Sequence, residues 1–499
     1  MKVNDQTQIS HVKIIPMATE NRKLHIAMLP WLAFGHILPY LELAKHIALK
    51  GHKISFISTP RNIDRLPKLP SHISPFIRFV KIPLQPVENL PKDAEATTDL
   101  PYDKVQYLKI AYDAMRDSIH HFLQTNKPDW IFFDFAAYWA GPIATELNIS
   151  SAFFSIMIAA VLGFLGPAPV LISGYGTLDE PEVLTASPKW VNFPTTVAFR
   201  LYEVLRMKDS FTGNMSEASD IYRFGAGIKS CDVLLIRSCS EFEPEWLHLV
   251  EEIHQKLVFP VGQLSPLTID NCDDESNGAW TGGSIKQWLD SQEKGSVIYV
   301  AFGSEAKPSQ EELTEIAHGL ELSGLPFFWV LRKQRGEFDT DLNELPKGFE
   351  QRTKDRGVVC MGWAPQLKIL SHDSVGGFLT HSGWSSVVEA ISYEKALILL
   401  PFLADQGLNA RLLEEKKMAY SIPRDEREGT FTRDSVANSL SLVMLEEGGK
   451  VYRENAKNMR ELFADKRKQE KYVENLMKYL QKHREIQKEN GDTTHSKES

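Results

Sequence analysis

Cysteine is scarce in this chain: Cys231, Cys239, Cys272 and Cys360 are the only four in 499 residues, and no two form a CxxC pair. That excludes a disulfide framework and leaves no zinc or dithiol spacing, so a reducing, cytoplasmic setting is expected. Excess positive charge is also missing. With 56 Lys and Arg against 65 Asp and Glu the formal net charge is -9, which offers no basic footprint for nucleic acid, and any phosphate must be held locally. The first βα turn lacks G-x-G-x-x-G, which argues against a nicotinamide-dependent dehydrogenase. Residues 1–22 have no continuous apolar run of the kind a secretory signal needs and are expected to be a disordered leader. One segment, 152–172, is apolar for just long enough to cross a bilayer. Gly163, Gly166, Pro167 and Pro169 interrupt it and no Lys or Arg cluster flanks it, so a buried strand and pocket wall is expected and no membrane span.

What is present is a repeated βα rhythm. LHIAML, a helix through 38–50 and HKISFIS open it; FIRFVKI, a helical stretch at 102–123, WIFFDF and CDVLLIRS continue it. Asp, Asn, Gly and Pro then crowd into SPLTIDNCDDESNGAWTGGS, where a linker is expected. A second series follows: SVIYVAFGS, a helix over 310–323, FFWVLR, GVVCMGW, SVGGFLTH, a helix from Ser385 and ALILLPF. The chain thus divides into a leader (1–22), an N-terminal α/β domain (23–264), a linker (265–284), a C-terminal α/β domain (285–465), a charged C-terminal helix (466–487) and a disordered tail (488–499). Two doubly wound units admit many functions, so the sites must decide.

In the second unit the strand GGFLTH runs into Ser382-Gly383-Trp384-Ser385-Ser386 and then a helix. Free backbone N–H groups and a partial positive charge at such a start make an anion site, and Gly383 permits close approach while His381, Ser385 and Ser386 add donors, without Lys, Arg or metal. A competing reading makes Ser386 and Glu389 an S-x-x-E capping box of an ordinary helix start, and the residues alone leave both open. In the first unit His36 follows the first strand, where a doubly wound domain presents side chains to its ligand crevice, and Asp134 ends WIFFD on another strand. An imidazole titrating near neutrality can take a proton from an attacking hydroxyl.

The block 363–406, WAPQLKILSHDSVGGFLTHSGWSSVVEAISYEKALILLPFLADQ, resembles the signature of plant family-1 uridine-diphosphate (UDP) glycosyltransferases in length and register. GHILP at 35–39 and FGS at 302–304 match as well, so the resemblance covers nearly the whole chain. It implies two Rossmann-like domains facing across a cleft (the GT-B fold) and an inverting transfer with His36 as base and Asp134 orienting it. It further implies a UDP-sugar lying on Trp363, Ala364 and Gln366, with Glu389 on the ribose. Ser304, His381, Gly383, Trp384, Ser385 and Ser386 would hold the diphosphate, and Asp405 and Gln406 the hexose. No cofactor or metal is expected, and a monomer is. The closing Gln406 points, within that family, to glucose.

Three residues depart from the family pattern: Ser382 stands for the usual Cys, Ser385 for the usual Asn, and Leu400-Pro401-Phe402 for Trp-Pro. The WSS variant and PWLAFGHILPYLELAK resemble the branch-forming subgroup that adds a sugar to a sugar on a terpenoid, saponin or flavonoid glycoside. Some of that subgroup take UDP-rhamnose, so that donor stays open, and a non-catalytic UDP-sugar-binding protein is the alternative class. The acceptor is expected against Trp31, Phe34, Trp139 and Met157.

Overall fold

Parallel pairing throughout organises the chain into two sheets. In the computed structural model, which describes residues 23–174, 180–266, 284–331 and 344–495, the first sheet holds β1 (His25–Leu29), β2 (Lys53–Ser58), β3 (Ile77–Lys81), β4 (Trp130–Phe133), β5 (Ser150–Ser155), β6 (Val233–Ile236) and β7 (Val258–Pro260). Their order is β3-β2-β1-β4-β5-β6-β7. The second holds β8 (Val297–Ala301), β9 (Phe327–Leu331), β10 (Gly357–Met361), β11 (Val375–Thr380), β12 (Ala396–Leu399) and β13 (Ala419–Ser421), in the order β10-β9-β8-β11-β12-β13. β4, β5, β6, β8 and β12 are buried at every residue. Helices cover both faces of such strands, which is why they read as unbroken apolar runs rather than alternating ones.

Each sheet reverses its strand order once, between β1 and β4 in the first and between β8 and β11 in the second. At such a switch point the loops leaving the two strands diverge to opposite faces and open a crevice at the carboxyl ends. His36 and Asp134 follow β1 and β4, while Ser304 and the 381–386 turn follow β8 and β11, so both pairs lie at reversals. This is the two-domain GT-B architecture.

Several boundaries differ from those read in the sequence. The first long helix is Phe34–Leu49, not 38–50, with Pro39 inside it. A proline in the second turn removes one backbone bond and is absorbed, so His36 sits within the helix's first turn and not in a loop before it. The 102–123 stretch is two helices, Val105–Asp113 and Arg116–Asn126. The 152–172 segment forms β5 followed by two short helices, Ala159–Leu165 and Ala168–Ser173. Among the described residues no helix is long and apolar enough to cross a membrane. The leader 1–22, nearly all of the linker 265–284 and residues 496–499 lie outside the described residues.

The last helix, Lys466–His495, runs past the boundary that composition placed after 487. It packs on the first unit, where Val473, Leu476, Met477 and Leu480 share a core with Ile26, Phe56 and Trp130. The indole N–H of Trp130 donates to the Leu480 carbonyl at 3.2 Å. Helical order in so charged a segment therefore derives from one apolar stripe docked on a foreign domain. Truncating Val473, which is fully buried, to alanine is expected to cost about 2 kcal/mol, measured by urea unfolding followed through tryptophan fluorescence. The two units are also joined directly, since Phe242 packs on Trp384 with ring centroids 5.7 Å apart and on Phe463 at 5.2 Å.

Candidate functional site

A cavity of about 1490 Å³ lies between the two sheets and is lined from both sides. On the first unit's side His36 Nδ1 is 2.7 Å from Asp134 Oδ2. A carboxylate only accepts, so Nδ1 carries the proton and the Nε2 lone pair is left for the cleft. The Asp134 carboxylate, 2% exposed, also accepts from the backbone N–H of Phe135 at 2.7 Å and of Trp31 at 3.3 Å. Three donors fix its orientation and hence that of the ring. Burial of His36 works against its charged form, but the charge and hydrogen bond of Asp134 outweigh it, with Asp405 and Glu305 adding to the effect. Its pKa is therefore raised above 6.5.

On the opposite side the helix Trp384–Ser392 starts with Gly383 as its N-cap, and no side chain caps it. Ser386 lies inside the helix, so the Ser386–Glu389 capping box does not form, and the first-turn N–H groups are not taken by a capping side chain. Close packing demands two glycines here. A Cβ on Gly303 would come within 2.7 Å of the His381 ring, and one on Gly383 within 2.4 Å. Burial draws His381 down to about 4, so it is a neutral imidazole. Ser382 has φ +68° and a buried hydroxyl with no hydrogen-bond partner among the described residues, strain and desolvation concentrated in the turn that leads into the helix. The indole of Trp384 is 4% exposed and donates to Gln263 at 2.9 Å, so what this residue can offer a ligand is its backbone N–H.

Trp363 is 63% exposed, an unusual state for tryptophan, and lines the same cavity beside Ala364 and Gln366. Gln366 Nε2 donates to Glu389 Oε2 at 2.7 Å. Burial raises Glu389 to about 7, against the lowering influence of Gln366 and Arg237. Asp405, raised by burial, accepts from Asn409 Nδ2 at 2.8 Å. The Gln406 carbonyl oxygen accepts from the backbone N–H of Phe402 and Leu403 at 2.9 and 3.2 Å, so only its NH2 remains for a ligand. Ser304, Ser385 and Ser386 line the cavity too.

Of the four aromatic or apolar residues expected at the acceptor end, Trp31, Phe34 and Met157 line the cavity. Trp139 does not. It is 5% exposed, donates to Asp113 Oδ1 at 3.0 Å and packs on Tyr112, a core position that an aromatic near a strand end fills as readily as a pocket position. Polar residues that sequence reading missed line the cavity as well, Arg65, Thr97 and Asp99 among them, with Arg65 paired to Asp99 and Thr97 donating to Glu305 at 2.8 Å. So does Arg237, which follows β6 and reaches Ser385 Oγ at 2.7 Å. A cation that the sequence reading did not name thus stands beside this helix start, brought from the other domain, and no local spacing announces it.

Comparison with known proteins bears on the family and the fold. A family model described as UDP-glucuronosyl and UDP-glucosyl transferase matches residues 272–474. The chain is 54% identical to UDP-glycosyltransferase 91A1 of Arabidopsis thaliana over 92% of its own length and 97% of that protein's. It is 43% identical to the soyasaponin III rhamnosyltransferase of Glycine max, with 93% and 97% covered. In fold it is similar to a Glycyrrhiza uralensis glycosyltransferase solved with glycyrrhetinic acid 3-O-monoglucuronide, with a TM-score of 0.77 at 24% identity, covering 95% of this chain and 99% of that one.

Proposed function

The chain belongs to the plant family-1 UDP-glycosyltransferases, and from that premise we propose that it transfers a hexose, by inversion and without a metal, to a sugar hydroxyl of a terpenoid, saponin or flavonoid glycoside. One observation carries the reading: His36, held by Asp134, and the uncapped start of the helix Trp384–Ser392 line one cleft from opposite sides. The acceptor oxygen attacks the anomeric carbon, its proton passes to His36 Nε2, and the bond from that carbon to the β-phosphate oxygen breaks. The electron pair leaves on UDP. Charge grows on the β-phosphate as that bond lengthens, so donors held ready by the helix start, His381 and Ser304 act most strongly in the transition state.

Trp363 supplies the face for uracil, Glu389 accepts from the ribose, and Asp405 and the Gln406 amide grip the hexose. Stacking on an aromatic ring contributes about 1 to 3 kcal/mol per base, so Trp363→Ala is expected to weaken UDP roughly tenfold in a calorimetric titration. Support for a glycoside acceptor comes from a relative named as an anthocyanidin-3-O-glucoside rhamnosyltransferase of Petunia hybrida, 33% identical over 92% of this chain and 97% of that protein. Glucose is the donor favoured by Gln406. UDP-rhamnose is the second reading, favoured by the relative named as a rhamnosyltransferase.

UDP release measured over a panel of aglycones and their monoglycosides, with UDP-glucose and UDP-rhamnose and with a chelator present, tests all of this. Turnover on monoglycosides with UDP-glucose, unaffected by the chelator, is expected. Turnover confined to aglycones would overturn the sugar-on-sugar assignment. Tight UDP binding without turnover on any acceptor would favour the non-catalytic alternative.

A further inference from the structure

Arg237 is 3% exposed, yet its guanidinium has no ion-pair partner among the described residues. Its Nε donates to the Gln263 carbonyl at 2.8 Å and its Nη1 to Ser385 Oγ at 2.7 Å, both neutral acceptors. Five N–H donors in a fixed fork are present, and these two bonds leave the rest of the fork to the cleft that Arg237 lines. Burial lowers its pKa to about 10 against the opposing charges of Glu389, Glu42 and Asp405, none of which is in ion-pair contact with it among the described residues. Glu389 is itself engaged by Gln366, and burial opposes its ionisation, so it does not neutralise the arginine. A cation removed from water with only neutral acceptors in hydrogen-bond contact is costly, and such a site suits an anion that is not part of the protein.

Position selects the anion. Ser385 is the second residue of the helix Trp384–Ser392, so the guanidinium is held beside the uncapped helix start, and there two sources of positive potential converge. Ser385 is also one of the departures from the family signature, a short hydroxyl where asparagine is usual. It cannot itself reach out with an amide, but it can anchor a donor that comes from elsewhere.

We propose that Arg237 is a donor-binding residue, a guanidinium supplied by the N-terminal domain to the diphosphate of the UDP-sugar that the C-terminal domain holds. The diphosphate then bridges the two units, and Ser385 aims the arginine at it. This rests on the glycosyltransferase reading above and extends it to a residue on the far side of the cleft.

Calorimetric titration of the full chain with UDP and with uridine, which lacks the diphosphate, tests the assignment. Losing a charged hydrogen-bonding partner of a phosphate is expected to cost roughly ten- to hundredfold in UDP affinity. Arg237→Gln should therefore shrink the preference for UDP over uridine by that factor with uridine binding unchanged, and Arg237→Lys should keep an intermediate preference. Because the ratio is read within each variant, a smaller folded fraction lowers both bindings alike and does not imitate the effect. An unchanged ratio in Arg237→Gln would overturn the inference while leaving the family reading intact. Failure of the wild-type chain to prefer UDP over uridine would overturn both.

Discussion

Replacing His36 with alanine is expected to lower the rate of sugar transfer by about 10²- to 10⁴-fold while leaving UDP affinity within a few-fold of wild type. The ring is held at one nitrogen by Asp134 and presents the other to the cavity, so its removal takes away the proton acceptor and nothing on the nucleotide side. His36 lies in the first turn of the helix Phe34–Leu49 with its side chain 14% exposed, and loss of the ring leaves Phe135 and Trp31 in contact with each other at 6.2 Å. A fold defect is thus not expected, and single-turnover kinetics at saturating UDP-sugar isolates the chemical step. Transfer at the wild-type rate would remove His36 from the mechanism.

Asp134→Asn is expected to be nearly as damaging, about 10²- to 10⁴-fold in kcat, although no reacting atom touches the carboxylate. An amide can present its NH2 to Nδ1, which forces the proton onto Nε2 and turns the base face into a donor. The pH profile distinguishes this from a general loss of structure. His36 must be neutral to act as base, and its pKa is raised above 6.5 by Asp134 against the opposing effect of burial. In the wild type kcat/KM should therefore fall as the pH drops through an apparent pKa above 6.5. In the asparagine variant both raising influences of Asp134 are gone and burial remains, so the acid limb should move to lower pH. A limb that stays in place would show that another group governs it.

How much of this was readable in the residues follows from the range over which each signal acts. The central strands β1, β4, β6, β8 and β12 announce themselves because both faces of a parallel sheet are covered, which leaves uninterrupted apolar runs, whereas the edge strand β3 alternates buried Ile77 with exposed Arg78. The edge strands β7 and β13, three residues each, carry too little pattern to stand out. For the turn after β11 the residues left two readings open, an anion site and a capping box of Ser386 and Glu389. The observed cap at Gly383 removes the second. Trp363 and Trp139 are alike in sequence terms, each an aromatic just past a strand, yet one is 63% and the other 5% exposed. That difference is decided by what packs above each ring.

The sequence by itself determined the two βα series, the identity of the residues at the ends of β1, β4, β8 and β11, and through the 363–406 block the family. These are local facts, set by hydrophobic periodicity and by residues a few positions apart. Tertiary structure alone decided which of them face one another: that His36 and Asp134 meet across 98 positions, that Arg237 crosses 148 positions to Ser385, and that Trp139 turns inward. The physical reason is that strand order and domain docking are settled by burying all the sheet faces together, a global requirement that no window of sequence contains.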